Sequence, residues 1–338
     1  MTDPFAELPH VQAIDAPSPE VFHREVVAAE KPVIIRGLLD TWPALEAGRT
    51  SVAAMSQYLR GLDTGQSVPV MEAPAATGGR FGYMPDMSGF TFSKRQLSLT
   101  ATLNRLEAIL DQPDAPYVAV QMLPLLSHCP EFVRSNPMPL LPAQVTPRLW
   151  AGGAVRTQTH NDRDHNLACV LAGKRRFLLF PPEQVVNLYV GPLDQPPPLS
   201  LVDPEAPDDA RFPRFREALA CARVAYLGPG DSLFMPKYWW HHVTSLEPFN
   251  VMVNYWWGDV AAGLENPNDG FLAALLAFRH LPPGERRYWK AMFDAYVFGA
   301  EGDLTGHIPE AARGVLGALP PPMRARLKQE LKLILLKS

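Results

Sequence analysis

Thirty-six prolines interrupt this chain of 338 residues, roughly twice the average share, and that load constrains the fold more than any other feature. Each proline fixes its own φ and removes a backbone donor, so a helix cannot run through it without a break. Long continuous helices are therefore confined to the C-terminal third, and many short strands joined by ordered loops fit the remainder.

Organisation follows from where the interruptions fall. Ser18-Pro19 followed by EVFHREVVAA reads as an N-cap, a first-turn proline and a helix ending before Lys31-Pro32. A strand, Pro32 to Arg36, is β-branched and stopped by Gly37. Apolar residues recur at helical spacing from Ser51 to Leu59 and from Leu99 to Leu110, which predicts short covering helices. From Tyr117 to Trp257 the chain becomes a series of β-like runs. Its candidate strands are Leu167–Leu171, Phe177–Phe180, Ala220–Tyr226, Ser232–Met235 and Asn250–Trp256, with Gly228-Pro229-Gly230-Asp231 as a turn. Closely spaced strands favour a barrel or jelly roll over a parallel α/β sheet. Helical spacing returns over Gly270–His280, Gly284–Gly299 and Met323–Lys337. In the last of these, Met323, Leu327, Leu331 and Ile334 share a face, which either packs on the barrel or builds a two-fold dimer. Three regions result: 1–116, helices and a strand packed on the core; 117–258, the catalytic core; 259–338, a helical region suited to dimerisation.

Charge narrows the function classes. A formal net charge of −4 gives no global reason to bind nucleic acid or an anionic membrane. MTDPFAELPH lacks the basic and apolar regions of a signal peptide, and no stretch approaches the length of a membrane span, so a cytoplasmic location is expected. Cys129, Cys169 and Cys221 have no metal-binding or redox spacing, suit a reducing compartment and read as buried thiols.

The chemistry gathers at His160-Asn161-Asp162. Residues two apart on a strand point to one side, so an imidazole and a carboxylate can reach a single metal ion there. A third ligand comes from Pro236-Lys237-Tyr238-Trp239-Trp240-His241-His242, just beyond the Gly-Pro-Gly-Asp turn and an apolar strand. Two histidines and one carboxylate on one side of a metal leave open positions for iron(II) to take a chelating cosubstrate and dioxygen. A structural zinc site would be closed by four protein ligands, and no cysteine cluster is present to close it. His241 and His242 compete for the third place, because adjacent strand residues face opposite ways. His165, with Asp164, reads as a strand-edge or mouth residue. His10, His23, His128, His280 and His307 read as surface or capping residues.

At these residues the sequence resembles the JmjC/cupin-like 2-oxoglutarate oxygenases, in particular the group that includes the asparaginyl hydroxylase factor-inhibiting HIF. The likeness runs from Thr157 to Gly258 through T-Q-T-H-N-D-R-D-H-N-L, G-K-R-R-F-L-L-F-P-P-E-Q, L-Y-V-G-P-L, G-P-G-D-S-L-F-M-P-K-Y-W-W-H-H-V and V-N-Y-W-W, and the N-terminal K-P-V-I-I-R-G-L is also similar. The resemblance implies a double-stranded β-helix (jelly roll/cupin) with N-terminal covering helices and a C-terminal helical extension. It also implies iron(II), held by His160, Asp162 and His241, and 2-oxoglutarate, decarboxylated as dioxygen hydroxylates a second substrate.

By the same likeness Thr157, Asn166 and Tyr117 are cosubstrate contacts, Asn254 and Trp256 line the pocket, Trp256 toward the substrate, and Gln121 is a substrate contact. The family commonly has Gly-x-Lys-Arg where this chain has Gly173-Lys174-Arg175-Arg176. Arg175 is thus the residue expected to hold the distal carboxylate of 2-oxoglutarate, with Lys174 taking its place if the register moves by one. Arginine binds carboxylates with a planar fork and is not interchangeable with lysine. The implied activity is hydroxylation of a protein side chain, a modified tRNA base or a small molecule. A metal-dependent cupin dioxygenase or isomerase working without 2-oxoglutarate, and a non-catalytic binding protein, are the alternatives. No chromatin-reader spacing accompanies the core, which disfavours a histone demethylase.

Overall fold

The runs bounded by proline and glycine do form strands. The computed structural model describes residues 3–84, 86–193, 198–258, 266–299 and 302–335, the side chains of 334 and 335 excepted. Among them the strands are β1 (Ala13–Asp15), β2 (Val33–Arg36), β3 (Val68–Ala73), β4 (Arg80–Phe81), β5 (Ser93–Leu97), β6 (Tyr117–Pro124), β7 (Pro147–Gly152), β8 (Arg156–Asn161), β9 (His165–Ala172), β10 (Arg175–Phe180), β11 (Arg223–Leu227), β12 (Ser232–Met235), β13 (Trp240–Ser245) and β14 (Asn250–Trp257). One sheet has the order β1-β2-β12-β9-β14-β7-β6-β3-β5 and the other β11-β10-β13-β8-β4.

From β7 to β14 the chain passes back and forth between the sheets. Strands β7, β9, β12 and β14 are contiguous in the larger sheet, and β8, β10, β11 and β13 in the smaller. This winding is the expected double-stranded β-helix. Its interior is apolar and drawn from both sheets: Ala168, Val170, Leu233, Met235 and Met252 meet Phe177, Leu179, Ala225, Leu227 and Val243. The outer face of the larger sheet, with Leu149, Cys169, Leu171 and Val253, is covered by Phe22, Trp42, Leu45, Met55, Leu59 and Leu103 from the N-terminal helices. The smaller sheet carries Leu178, Phe180, Val224 and Trp240 outward against Phe5, Leu188, Phe212 and Phe215.

Serine caps set the covering helices where the sequence places them. Ser18 accepts from the Val21 N–H at the start of Pro19–Val21, which continues as π-helical turns over Phe22–Val27. Ser51 caps Val52–Leu62, and Ser98 caps Leu99–Ile109. Three expectations are corrected. Ala220–Tyr226 is not one strand: helix Phe215–Ala220 buries Phe215 and Ala218 three residues apart, and pairing begins only at Arg223, opposite Leu179. Cys221, at the end of that helix, is exposed rather than buried, whereas Cys129 and Cys169 are buried with thiols pushed up to about 12, chiefly by burial. His128 is buried, its Nδ1 within hydrogen-bond reach of Ser127 Oγ and the Pro124 carbonyl.

The chain divides into two compact units, Met1–Gly258 and Asp259–Ser338. In the second, helices Pro267–Phe278, Pro283–Tyr296 and Pro321–Leu335 each open on proline, which is preorganised for a first turn. The first two contain no buried residue. Leu331 is exposed, while the Ile334 side chain and Lys337 lie outside the described residues. Among the described residues no helix is long and apolar enough to cross a membrane.

Candidate metal centre

Strands β8 and β13 are antiparallel neighbours, and their register sets His160 directly opposite His241, the ring centroids 4.3 Å apart. His160 Nδ1 lies 2.8 Å from the Gln158 carbonyl and His241 Nδ1 3.0 Å from the Trp239 carbonyl. A carbonyl can only accept, so each Nδ1 carries the proton and each Nε2 lone pair is left for a metal. Asp162, one residue beyond the end of β8, brings Oδ2 to 3.8 Å from His241 Nε2. One ligand atom from each of the three lies within 4.8 Å of the others. Burial first, and then the neighbouring His160, push His241 down to about 4, which keeps it a neutral donor at neutral pH.

A β-bulge completes the arrangement. His241 pairs with His160 but Val243 pairs with Thr157, so one residue, His242, faces two, Gln158 and Thr159. Thr157 and His160, three apart, thereby turn to the same side. His242 turns the other way, where its Nε2 stands 3.7 Å from Glu205, so the triad geometry gathers around His241.

Hydrogen bonds fix the same carboxylate oxygen that faces His241. Asp162 Oδ2 accepts from Trp256 Nε1 at 3.0 Å and from Asn166 Nδ2 at 3.2 Å. Asn166 Oδ1 accepts from Asn254 Nδ2 at 3.3 Å, and Asn254 Oδ1 accepts from Trp150 Nε1 at 2.7 Å. Asn166, Asn254 and Trp256, expected from the resemblance to touch cosubstrate or substrate, thus form with Trp150 a relay that orients Asp162.

Farther along the interior, Arg175 opens β10 four residues before Leu179, the partner of His241, roughly 13 Å along the strand. It is 6% exposed, and its Nε is buried with no hydrogen-bond partner among the described residues. Burial pulls its guanidinium down to about 10, still protonated at neutral pH. Arg176, on the opposite face, is held by Asp3 and Glu205. Lys174 is a surface residue 3.6 Å from Glu247, with 65% of its side chain exposed, so the register in which it would enter the barrel is not the one observed. Tyr117 begins β6, and Gln121 lies in that strand where its register to β7 shifts, between Val120 and Leu123; among the described residues neither hydrogen-bonds to the triad.

Residues 18–262 match the family described as the cupin-like domain. This chain belongs to the cupin-like domain family. Among similar curated proteins is the human bifunctional peptidase and (3S)-lysyl hydroxylase, 29% identical over 276 residues, covering 71% of this chain and 81% of that protein. Lysine-specific demethylase 8 of Danio rerio is 26% identical over 263 residues, covering 75% of this chain and 59% of its own length. HSPB1-associated protein 1 of Bos taurus is 38% identical over 112 residues, 32% of this chain and 23% of that protein. Within the cupin-like domain, two site residues had no sequence signal. Trp150 and Arg148 sit on β7, whose P-R-L-W-A-G run carries neither a β-branched residue nor a regular apolar alternation.

Proposed function

We propose that this cupin-like protein is an iron(II)- and 2-oxoglutarate-dependent oxygenase that hydroxylates a protein side chain. The observation that carries the reading is a three-ligand cluster and, in the interior of the same barrel, a buried arginine whose Nε has no hydrogen-bond partner among the described residues. His160, Asp162 and His241 would hold the metal facially, leaving positions on its other side for a chelating cosubstrate and dioxygen. Arg175 would bind the far carboxylate of 2-oxoglutarate, because a buried guanidinium without a counter-charge is satisfied by a bidentate anion. A reading without 2-oxoglutarate leaves that charge unmatched. Thr157, turned inward by the bulge, stands on the β8 side of the same interior.

When bound, the pair supplies an oxidant from dioxygen: one oxygen atom enters the C–H bond of the substrate and the other enters succinate as 2-oxoglutarate loses carbon dioxide. The chain's own task is orientation and exclusion. Trp256 and Asn166 fix the carboxylate, the Gln158 and Trp239 carbonyls fix the imidazole tautomers, and the apolar interior keeps water from the reacting centre. The names of the human and zebrafish relatives refer to lysyl hydroxylation and lysine demethylation, which favours a protein substrate over a tRNA base or small molecule. Calorimetric titration of manganese(II)-loaded protein with 2-oxoglutarate under argon tests the reading. Binding at one site per chain, lost in His160→Ala, is the expected result; no heat of binding would refute it.

The C-terminal helices support a second part of this proposal, a homodimer. Phe271, Leu272, Leu276, Tyr288, Trp289 and Phe298 are exposed, and Phe278, Trp289 and Phe293 form an aromatic cluster beside a groove. Contiguous exposed apolar surface of this kind is usually an interface. Light scattering should give the dimer mass for the wild-type chain and the monomer mass for Leu276→Glu; a wild-type monomer would end this part of the proposal.

A further inference from the structure

Arg148 is a charged group beside the metal centre that none of the roles above employs. Its residue lies on β7 directly opposite Asn254 of β14 and Pro124 of β6. Alternation along β7 puts its side chain on the same face as Trp150, whose indole reaches Asn254. The guanidinium carbon lies 5.7 Å from the centroid of the Trp256 ring, and the indole N–H of that ring donates to Asp162. Arg148 is therefore separated from a metal ligand by one aromatic ring. It is half-buried, and among the described residues no carboxylate pairs with it. Its guanidinium over the Trp256 ring is a cation–π contact that leaves N–H donors to offer a ligand.

The surrounding charges are of both signs. The β8–β9 turn adds Arg163 and Asp164. The β12–β13 loop adds Lys237, and it is tied to that turn by the Tyr238 N–H on the Asp162 carbonyl and the Lys237 N–H on His165 Nδ1. Asp164 and Lys237 both flank Gly258, where an added Cβ would fall 2.1 Å from Asp164 Oδ1 and 3.5 Å from Lys237 Nζ. A lysine delivered to the metal would enter beside the Arg148 guanidinium, a group of like charge.

We infer that Arg148 selects a substrate whose entering residue carries a carboxylate, so that the protein acts on an acidic peptide segment rather than on lysine. The inference rests on the oxygenase reading above and names its substrate class. The overall reaction balances: the C–H bond supplies two electrons and 2-oxoglutarate two more to dioxygen, giving the alcohol, succinate and carbon dioxide. Arg148 forms no bond in it. It holds the carboxylate by charge-assisted hydrogen bonds and so fixes which C–H faces the metal. A formal net charge of −4 for the chain supplies no global attraction for a polyanion, and a nucleic acid, which is held through many phosphate contacts, is the less favoured source of the anion.

The test uses the full chain, loaded with manganese(II) and 2-oxoglutarate under argon and immobilised. It is offered equal pools of peptides with randomised flanks around a fixed Asp, Asn or Lys, and a uridine oligonucleotide. Mass spectrometry of the retained fraction should show Asp enriched over Lys by roughly tenfold or more, with the order reversed in Arg148→Glu whose circular dichroism matches wild type. Equal retention, a preference for Lys, an Asp preference that survives Arg148→Glu, or an oligonucleotide retained ahead of every peptide would each overturn the inference. Calorimetric binding of 2-oxoglutarate to the same wild-type preparation separates the two readings: if it fails, the oxygenase assignment falls, whatever the peptides do.

Discussion

Asp162 is the residue on which the proposed centre turns, because its carboxylate would be a metal ligand and is the end of a hydrogen-bond relay. Trp256→Phe keeps the ring and removes the donor. Hydrogen bonds to charged groups contribute about 1.5–3 kcal/mol, and outer partners of metal ligands typically change metal affinity by about 10–100-fold. The variant should weaken manganese(II) binding by that factor in a metal titration; unchanged affinity would mean that Asn166 orients the carboxylate alone. Arg175→Gln should raise the dissociation constant for 2-oxoglutarate by about tenfold or more, with Arg175→Lys recovering part of the loss; equal affinity in all three proteins would place the cosubstrate elsewhere. At this scale the H-x-D triplet was legible from its spacing, whereas the choice of His241 over His242 came only through the family likeness. The orienting roles of Asn166, Asn254 and Trp256 were not, since which atom a side chain reaches depends on pairing between strands remote in the chain. Lys174 and Arg175 are adjacent in sequence, and only the strand register separates a surface ion pair from an interior charge.

Elements hold these residues in place through close contacts. Gly48, in helix Pro43–Thr50, lies against β9 so tightly that an added Cβ would fall 2.0 Å from the Leu171 carbonyl oxygen. Gly48→Ala must push the helix off the sheet, and overpacking of this kind costs about 1–3 kcal/mol. Gly61→Ala, in helix Val52–Leu62 with nothing within 4 Å of the added atom, should be neutral or stabilising by up to about 1 kcal/mol. Denaturant unfolding of the pair checks both, and equal stability would show that the helix moves freely. Helices announced by Ser18, Ser51 and Ser98 were readable because a cap is a local event. Strand β7 was not, since Arg148 and Trp150 pair as a strand only because neighbouring strands impose it, and β8 was read as a strand through Asp162 although it ends at Asn161. The bulge opposite His242 was hidden for the same reason, yet it decides which way Thr157 points.

Across the whole molecule, Glu205 joins distant parts of the first unit. It contacts Arg156 of β8, Arg176 of β10 and Thr244 of β13, and Arg176 in turn holds Asp3 near the N-terminus. His242 beside it, the Thr244 hydroxyl and the Arg176 guanidinium hold its carboxyl down to about 2 from an ordinary 4.5, against an opposing effect of burial. Because the folded value is depressed, this contribution is present above about 4.5 and is lost as pH falls toward 2. Unfolding free energy measured across that range should fall less steeply in Glu205→Gln than in wild type; parallel curves would remove Glu205 from the acid response. The jelly roll itself was legible in outline, because prolines and glycines cut the chain into strand-length pieces, whereas the sheet order had to await the long-range pairings. Oxygen-dependent chemistry is proposed at His160, Asp162 and His241. The most direct measurement is succinate formed from 2-oxoglutarate by the iron(II)-reconstituted protein on admission of oxygen: the account predicts turnover that His160→Ala abolishes, and it is contradicted by no succinate at high protein concentration or by equal succinate from the variant.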